Sequence, residues 1–282
     1  MSQSLKFSCA DFTFPLLPHA KVLDLLQLLE IKGVDLGIFQ DRSHHYPSDI
    51  LRDPKAAARK LGKELQSRQL EAADVFVQTG AEPPIAAAND PCADIRKQNR
   101  ATLTGMIDFC NELGATHLTG LPGVLHAGVA AADDWERAIE ETAWRVEACR
   151  KASISYAIEP HVGSILPDPE STLRFLEAVP GLTLTLDYGH FIYQGMSNDS
   201  VHCLLPHASH FHARGGAKGA LQSTVKDNTI DFAVILKGLA QANYQGWICL
   251  EYVWVDWGGC NRTDNIAETL LLRQKLIELA SH

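Results

Sequence analysis

The chain alternates short strand-like runs with longer segments of helical periodicity, and eight such pairs follow one another. An alternation of this kind predicts parallel strands that are connected by helices. The proposed strands lie near Lys6–Phe12, Val34–Phe39, Ala73–Gln78, Thr116–Leu121, Ser153–Glu159, Leu182–Asp187, His210–Ala213 and Trp247–Val253. The proposed helices lie near Ala20–Glu30, Pro54–Gln69, Asp94–Leu113, Asp133–Ala152, Pro169–Ala178, Ser200–Pro206, Phe232–Ala242 and Asn265–Ala280.

Two arrangements accommodate eight strand-helix pairs, a closed barrel and an open doubly wound sheet. The length of 282 residues suits a barrel, which commonly needs about 250. No G-x-G-x-x-G turn follows the first strand, and no G-x-x-x-x-G-K-[ST] loop occurs in the chain. The pattern therefore predicts an α/β fold, a single (β/α)8 TIM barrel formed by residues 1–282.

Composition limits the classes of partner. Hydrophobic residues make up 46% of the chain and charged residues 21%, a globular composition, and the formal net charge is −9. Such an acidic chain is not drawn to nucleic acid or anionic membrane, so we expect a small-molecule substrate. The sequence contains no secretory leader and no stretch near the roughly 18 apolar residues of a membrane span, which predicts a cytoplasmic protein. Its seven cysteines lack a C-x-x-C pair, which indicates free thiols.

The last four proposed strands carry polar side chains on one face. Neighbouring residues of a strand point to opposite faces, so positions i and i+2 lie together. In the fifth and sixth strands the apolar residues occupy one face, which leaves Glu159 and Asp187 on the other. The same alternation in the seventh and eighth strands sets His212 and Glu251 apart from their apolar neighbours. The four side chains are thus predicted to converge on the barrel axis, near the carboxyl ends of adjacent strands.

Three carboxylates and a histidine inside a barrel need compensation. A barrel interior is normally filled by branched apolar side chains, and burial of uncompensated charge is costly. One divalent metal ion provides this compensation when it is held by Glu159, Asp187, His212 and Glu251. Oxygen donors with one imidazole suit Mn²⁺, our first choice, and also Mg²⁺, Co²⁺ or Zn²⁺.

These residues also have ordinary structural explanations. A single acidic residue at the end of a barrel strand is more often a helix cap, an ion-pair partner or solvated, so the matching register of four carries the argument. His210 lies one layer deeper than His212, where a hydrogen-bonded core histidine is a better interpretation than a metal ligand. Trp257 lies beyond the eighth strand and is predicted to line the pocket. Tyr252 and Trp254 fit a pocket and helix packing equally well.

Four motifs end the last four proposed strands. They are Ala157-Ile-Glu159, Leu186-Asp-Tyr-Gly-His190, His210-Phe-His212 and Leu250-Glu251. In this order, and over most of the chain, they resemble the xylose isomerase-like barrel superfamily, particularly the sugar and sugar-phosphate isomerase/epimerase group that includes the ketose 3-epimerases. The resemblance implies that the four positions predicted above hold one metal ion and that His190 contacts the substrate.

The chain departs from this family in two places. The segment after the metal histidine usually supplies an arginine or another group for the substrate, and here it offers Arg214 or Lys218 without a clear match. Glu159 is followed by a proline and His161, unlike in the epimerases with the best-known pocket, so His161 either contacts substrate or braces Glu159. Arg42, Arg214 and Lys218 are candidates for binding a substrate phosphate, although each is more often a solvated surface charge.

The implied chemistry is proton transfer next to a carbonyl. Removal of a proton beside a ketone leaves an enediolate, whose negative charge a metal ion stabilises. Glu159 and Glu251, on opposite sides of the site, would serve as base and acid. Return of a proton to the opposite face of the same carbon epimerises a sugar, sugar phosphate or related polyhydroxy ketone. Return to the neighbouring carbon, with the hydroxyl proton relayed, interconverts aldose and ketose.

Three other functions stay open. A lyase would expel a leaving group from the same intermediate, as do relatives that dehydrate keto-inositols and dehydroshikimate. A three-zinc DNA-repair endonuclease needs further ligands, for which His19 and His117 are the early candidates. A non-catalytic metal- or sugar-binding barrel would not need intact Glu159 and Glu251. The resemblance also suggests a homodimer or homotetramer.

Overall fold

The computed structural model describes residues 5–281. The strands are β1 (Phe7–Ala10), β2 (Gly33–Phe39), β3 (Glu71–Gln78), β4 (His117–Gly120), β5 (Ser155–Ile158), β6 (Thr183–Asp187), β7 (Ala208–Ala213), β8 (Gly215–Ala217), β9 (Ala220–Ser223) and β10 (Ile248–Leu250). The α-helices are α1 (His19–Leu28), α2 (Pro47–Ile50), α3 (Pro54–Gln66), α4 (Ala93–Leu113), α5 (Ala131–Lys151), α6 (Pro169–Ala178), α7 (Tyr188–Tyr193), α8 (Asn198–Val201), α9 (Phe232–Gln241) and α10 (Asn265–Ala280). Short 3₁₀ segments occur at Asp11–Thr13, His202–His207 and Trp257–Arg262.

Eight of these strands close into a barrel. Their order around the barrel is β1, β10, β7, β6, β5, β4, β3 and β2, and every neighbouring pair is parallel. The fold is a (β/α)8 TIM barrel, which confirms the fold class that the alternating pattern predicts. The carboxyl ends of all eight strands therefore lie at one mouth of the barrel, where enzymes of this fold place their active sites.

Local sequence determines where several helices begin and end. The Asp168 side chain accepts a hydrogen bond from the Ser171 backbone N–H, and Pro169 occupies the first turn of α6, where its missing N–H costs nothing. Asp231 caps α9 in the same way. Gly114 ends α4 with a φ of 81°, a left-handed conformation that favours glycine.

The strands have two faces with different surroundings. Their outward side chains, such as Leu184, Leu186 and Phe211, are buried in the main core under the helices. A smaller apolar cluster near the mouth includes Phe12 and Phe39. Polar residues that point inward at the carboxyl ends thus lie next to an apolar wall and not in open solvent.

Two connections differ from the prediction. The pattern predicts one helix near Ser200–Pro206, whereas the structure has the short helix α8 followed by a 3₁₀ segment that contains Pro206. Proline lacks the N–H that a continuing α-helix needs. The glycine-rich segment after β7 forms the antiparallel hairpin β8–β9, whose three- and four-residue strands are too short to show a period. Among residues 5–281, no helix has both the length and the apolar character of a membrane span.

Candidate metal centre and substrate cavity

Four strands deliver the predicted metal-binding side chains to one point. Asp187 is the last residue of β6, His212 lies near the end of β7, and Glu159 and Glu251 directly follow β5 and β10. All four are buried, with residue exposures of 1–5%. One ligand atom from each lies within 4.8 Å of the others. The structure therefore brings the four residues together in the arrangement that the strand register predicts.

The contacts inside this cluster are short. Nδ1 of His212 lies 2.7 Å from Oε1 of Glu159 and 3.4 Å from Oε2 of Glu251. Oε2 of Glu251 is buried and has no hydrogen-bond partner among the described residues. A buried carboxylate oxygen without a partner is costly, so it is a donor atom that a cation would satisfy. The set of three carboxylates and one imidazole fits a divalent metal ion.

Burial and mutual repulsion perturb the carboxyl groups of the cluster. Burial, reinforced by the charge of Glu251, raises the pKa of Glu159 to about 7. Burial also raises the pKa of Asp187, against the opposing effect of Arg214. Although burial alone would raise the pKa of Glu251, the nearby charges of His212 and Arg214 hold it below its usual value. Perturbed groups of this kind are concentrated at functional sites.

Arg214 lies inside the cluster and is not a solvated surface charge. It is 3% exposed, and its Nη2 donates a hydrogen bond to Oδ2 of Asp187. The same nitrogen is 3.6 Å from Oε2 of Glu251 and 3.2 Å from Nε2 of His190. The sequence interpretation of Arg214 as more often solvated is therefore wrong. Arg214 is the single residue between β7 and β8, and its side chain is buried against Asp187.

Two histidines line the site beside the carboxylates. His190, on α7, accepts a hydrogen bond at Nδ1 from the Val162 backbone N–H, and its Nε2 lies 3.9 Å from Oε2 of Glu159. His161 donates a hydrogen bond from Nδ1 to the Val162 carbonyl, while its Nε2 is buried without a partner. Burial lowers the pKa of His161 to about 4 and that of His190 well below its usual value. Both rings are therefore neutral near pH 7.

A cavity of about 710 Å³ opens above the cluster. Its floor includes Glu159, His161, His190, Arg214 and Glu251. One wall consists of Phe12, Phe39 and Phe76, whose ring centroids are 4.9–6.4 Å apart. The partly exposed Trp254 and Trp257 also line the cavity, as does Arg42, which lies 3.8 Å from Glu82. A volume of this size accommodates a small polyhydroxy compound.

Lys218 lies apart from this cavity. The residue is exposed in the turn of the β8–β9 hairpin and does not contribute to the cavity lining. Trp257, by contrast, lines the rim and has its ring 6.1 Å from that of Tyr193. Tyr252 is fully buried and accepts a hydrogen bond from the Gly215 N–H, so it braces the hairpin.

The early histidines do not join the four-residue cluster. His117 contacts Oδ1 of Asp74 at 2.7 Å and the Ser209 hydroxyl at 2.7 Å, deep in the barrel. His19 contacts Asp11 and His45 beside a different cavity. Neither residue supplies a ligand next to Glu159.

Sequence reasoning left one part of the site undescribed. Asp35, in the middle of β2, lies beneath the cluster, with its Oδ2 2.5 Å from Nε2 of His210 and 3.5 Å from Nε2 of His212. His210 is 1% exposed, in agreement with its interpretation as a hydrogen-bonded core histidine. An acidic residue inside the otherwise apolar run Gly33–Phe39 was the available signal for Asp35.

Fold and site together define a TIM barrel with a candidate active centre at the carboxyl ends of its strands. Residues 23–276 match the family model described as xylose isomerase-like TIM barrel, and the chain belongs to this family. A search of curated proteins finds no significant match.

Solved structures show the same architecture at low sequence identity. D-psicose 3-epimerase from Clostridium cellulolyticum H10 is 14% identical, with a TM-score of 0.73 over 98% of both chains. A xylose isomerase-like TIM barrel protein from Mycobacterium smegmatis, solved in complex with magnesium, is 15% identical, with a TM-score of 0.71 over 93% of this chain and 87% of that one. The probable 3-DHS dehydratase AsbF from Bacillus anthracis is 15% identical, with a TM-score of 0.69 over 95% and 99%. At such identities the similarity establishes the fold alone.

Proposed function

We propose that the protein is a divalent-metal-dependent isomerase or epimerase that acts on a sugar, a sugar phosphate or a related polyhydroxy ketone. The observation that carries the proposal is the convergence of Glu159, Asp187, His212 and Glu251 within 4.8 Å under a cavity of about 710 Å³. A metal-donor set at the base of a substrate-sized cavity suits carbonyl chemistry, because a bound cation can stabilise charge on a substrate oxygen.

In this proposal the four residues hold one divalent ion. Mn²⁺ is the first ion to test, with Mg²⁺, Co²⁺ and Zn²⁺ as alternatives, because oxygen donors dominate the set. A solved structural relative from Mycobacterium smegmatis contains magnesium, which supports a divalent ion in this fold. The bound ion would stabilise negative charge that develops on the substrate oxygens when a proton leaves the adjacent carbon.

Glu159 and Glu251 move the proton in the proposed reaction. They follow β5 and β10, which are separated in the barrel by β6 and β7, so they reach the site from different directions. One carboxylate removes the proton beside the carbonyl and the other returns a proton from the opposite face.

Substrate contacts in the proposal come from the side chains around the cluster. Nε2 of His161 is buried and unpartnered, so it accepts a hydrogen bond from a substrate hydroxyl. Arg214 and His190 flank Asp187 and contact substrate oxygens, and Trp257 covers the apolar face of the substrate at the rim. Lys218 is not part of this proposal because it is exposed on the hairpin.

A dehydratase is the second candidate. The structural similarity to the probable 3-DHS dehydratase from Bacillus anthracis supports it, because that protein has the same fold. Elimination begins with the same proton removal, so the residues above serve either outcome. Analysis of the product distinguishes the dehydratase from the isomerase or epimerase, since only the dehydratase releases water. A homodimer or homotetramer stays a prediction for either enzyme.

The test is proton exchange in heavy water. Metal-loaded protein is incubated with free ketoses, ketose phosphates and keto-inositols, and deuterium incorporation is followed by NMR. We expect exchange that falls about 10²- to 10⁴-fold in Glu251→Gln, the usual contribution of an acid/base group. Glu177→Gln is the matched control, because Glu177 is exposed on α6. Absence of bound metal in the wild-type protein, or exchange that Glu251→Gln leaves unchanged, would refute the proposal.

A further inference from the structure

A second layer of polar side chains lies directly beneath the proposed metal ligands. Asp35 on β2 and His210 on β7 are each at most 1% exposed. Oδ2 of Asp35 lies 2.5 Å from Nε2 of His210 and 3.5 Å from Nε2 of His212. One carboxylate oxygen therefore faces two imidazoles, and one of these belongs to the proposed metal site.

The two nitrogens of His212 face different surroundings. Nδ1 points to the donor cluster, 2.7 Å from Oε1 of Glu159. Nε2 points away from the cluster, and among the described residues it has no hydrogen-bond partner within the usual distance. A neutral imidazole carries one proton, and a nitrogen that binds a metal must offer a lone pair. When Nδ1 binds a metal ion, the proton of the neutral ring therefore belongs on Nε2, towards Asp35.

We propose that Asp35, held in place by His210, is a positioning residue that sets the tautomer and ring orientation of His212 for metal binding. This inference rests on the proposed function, since it needs a metal at the site. The carboxylate attracts the Nε2 proton of His212 and so leaves Nδ1 free as a ligand, an arrangement that raises the basicity of a ligating histidine. His210 Nε2–H donates to the same carboxylate and fixes its direction.

A competing explanation is that this layer binds a metal ion of its own. Cys249 completes a four-residue cluster with Asp35, His210 and His212. His212 also belongs to the upper cluster of proposed metal ligands, and a neutral imidazole offers one lone-pair nitrogen, so it can bind only one of two ions. The shared histidine therefore favours positioning over a second ion.

The barrel contains a matched pair that serves as a control. Asp74 on β3 is as fully buried as Asp35 and contacts Nδ1 of His117 at 2.7 Å. The other nitrogen of His117 faces the Ser209 hydroxyl and no proposed metal ligand. Loss of the Asp74 carboxylate thus disturbs a buried aspartate–histidine pair that does not contact His212 directly, although the His117 ring lies 5.2 Å from that of His210.

The experiment measures metal affinity of the whole chain. Asp35→Asn and Asp74→Asn are titrated with Mn²⁺ and with Zn²⁺ by calorimetry, and metal-free thermal unfolding is recorded for each. We expect Asp35→Asn to bind about 10- to 100-fold more weakly than the wild type, and Asp74→Asn to stay within about twofold. In the Zn²⁺-loaded protein, ¹⁵N NMR of the histidine side chains is expected to show His212 protonated at Nε2.

Each outcome has a distinct meaning. Equal affinities of the two variants, or a His212 protonated at Nδ1 in the loaded wild type, overturn the positioning role but leave the metal site intact. A second equivalent of metal that disappears in Asp35→Asn also overturns it. If the wild type binds neither ion, the proposed function itself fails and the positioning role fails with it. If Asp35→Asn does not fold, His210→Gln is titrated in its place, and the same loss of metal affinity is expected.

Discussion

Arg214 donates a hydrogen bond to Asp187, and both side chains are almost completely buried. The guanidinium also lies 3.6 Å from Oε2 of Glu251. A buried cation between two carboxylates offsets the cost of removing them from water. Arg214 therefore supplies positive charge to the cluster in the metal-free protein. Replacement of Arg214 tests most directly how much this charge compensates the buried carboxylates.

Arg214→Met is expected to destabilise the metal-free protein by about 3–5 kcal/mol, the usual cost of leaving a buried charge without its partner. Added Mn²⁺ is expected to raise the melting temperature of the variant more than that of the wild type, because the ion restores compensation. Thermal unfolding with and without chelator checks both points.

The control for this change is Arg42→Met. Arg42 is partly exposed and lies 3.8 Å from Glu82, so its removal is expected to cost less than about 1 kcal/mol. Equal melting temperatures for the Arg214 and Arg42 variants would contradict the role assigned to Arg214.

Stability at mildly acidic pH depends on His45. Burial lowers the pKa of His45 from its usual 6.5 to about 4. Between these values the unfolded chain takes up a proton at this position and the folded chain does not, so the free energy of unfolding falls as the pH drops through that window. The whole shift corresponds to at most about 3 kcal/mol.

His45→Gln is therefore expected to lose less stability than the wild type when the pH is lowered from 6.5 to 4. Urea unfolding at several pH values measures the difference in slope. His207→Gln is the control for the substitution itself, because His207 is exposed. A variant at position 45 that follows the wild-type curve would show that burial of His45 does not contribute.

Trp257 is expected to act on binding more than on chemistry. Its ring lies at the cavity rim, beyond the proposed acid and base, and is 52% exposed. Trp257→Ala is expected to raise KM about 10-fold with a smaller change in kcat, because an aromatic surface that covers substrate is lost. Lys218→Ala should leave KM and kcat unchanged. If it raised KM more than Trp257→Ala does, Lys218 and not Trp257 would be the residue that binds substrate.

The free thiols divide into two classes by burial. Cys92 and Cys203 are exposed, and the other five cysteines are buried. Titration with a thiol reagent is expected to modify two residues rapidly in the folded protein and all seven after unfolding. Cys92→Ser should remove one of the rapid equivalents. Rapid reaction of more than two thiols would contradict the packing of the barrel.

Much of the barrel was accessible to sequence reasoning because its signals are periodic. The alternation of apolar and polar residues along β5, β6, β7 and β10 predicted which side chains face inward. Among these inward side chains are Asp187, which ends β6, and Glu159, which directly follows β5. The hairpin β8–β9 and the helix α7 were not predicted. Strands of three or four residues and a helix of six residues are too short to establish a period.

The sequence by itself determined the strand-helix order, the inward register and the four candidate metal ligands, because the alternation of side chains along a strand follows from backbone geometry alone. Only the tertiary structure decided that Arg214 enters the carboxylate cluster and that Asp35 lies next to His210 and His212. Asp35 and His210 are 175 residues apart, and no local pattern links them. Closure of the barrel brings β2 and β7 to one axis, and with them the charges that determine how the site is compensated.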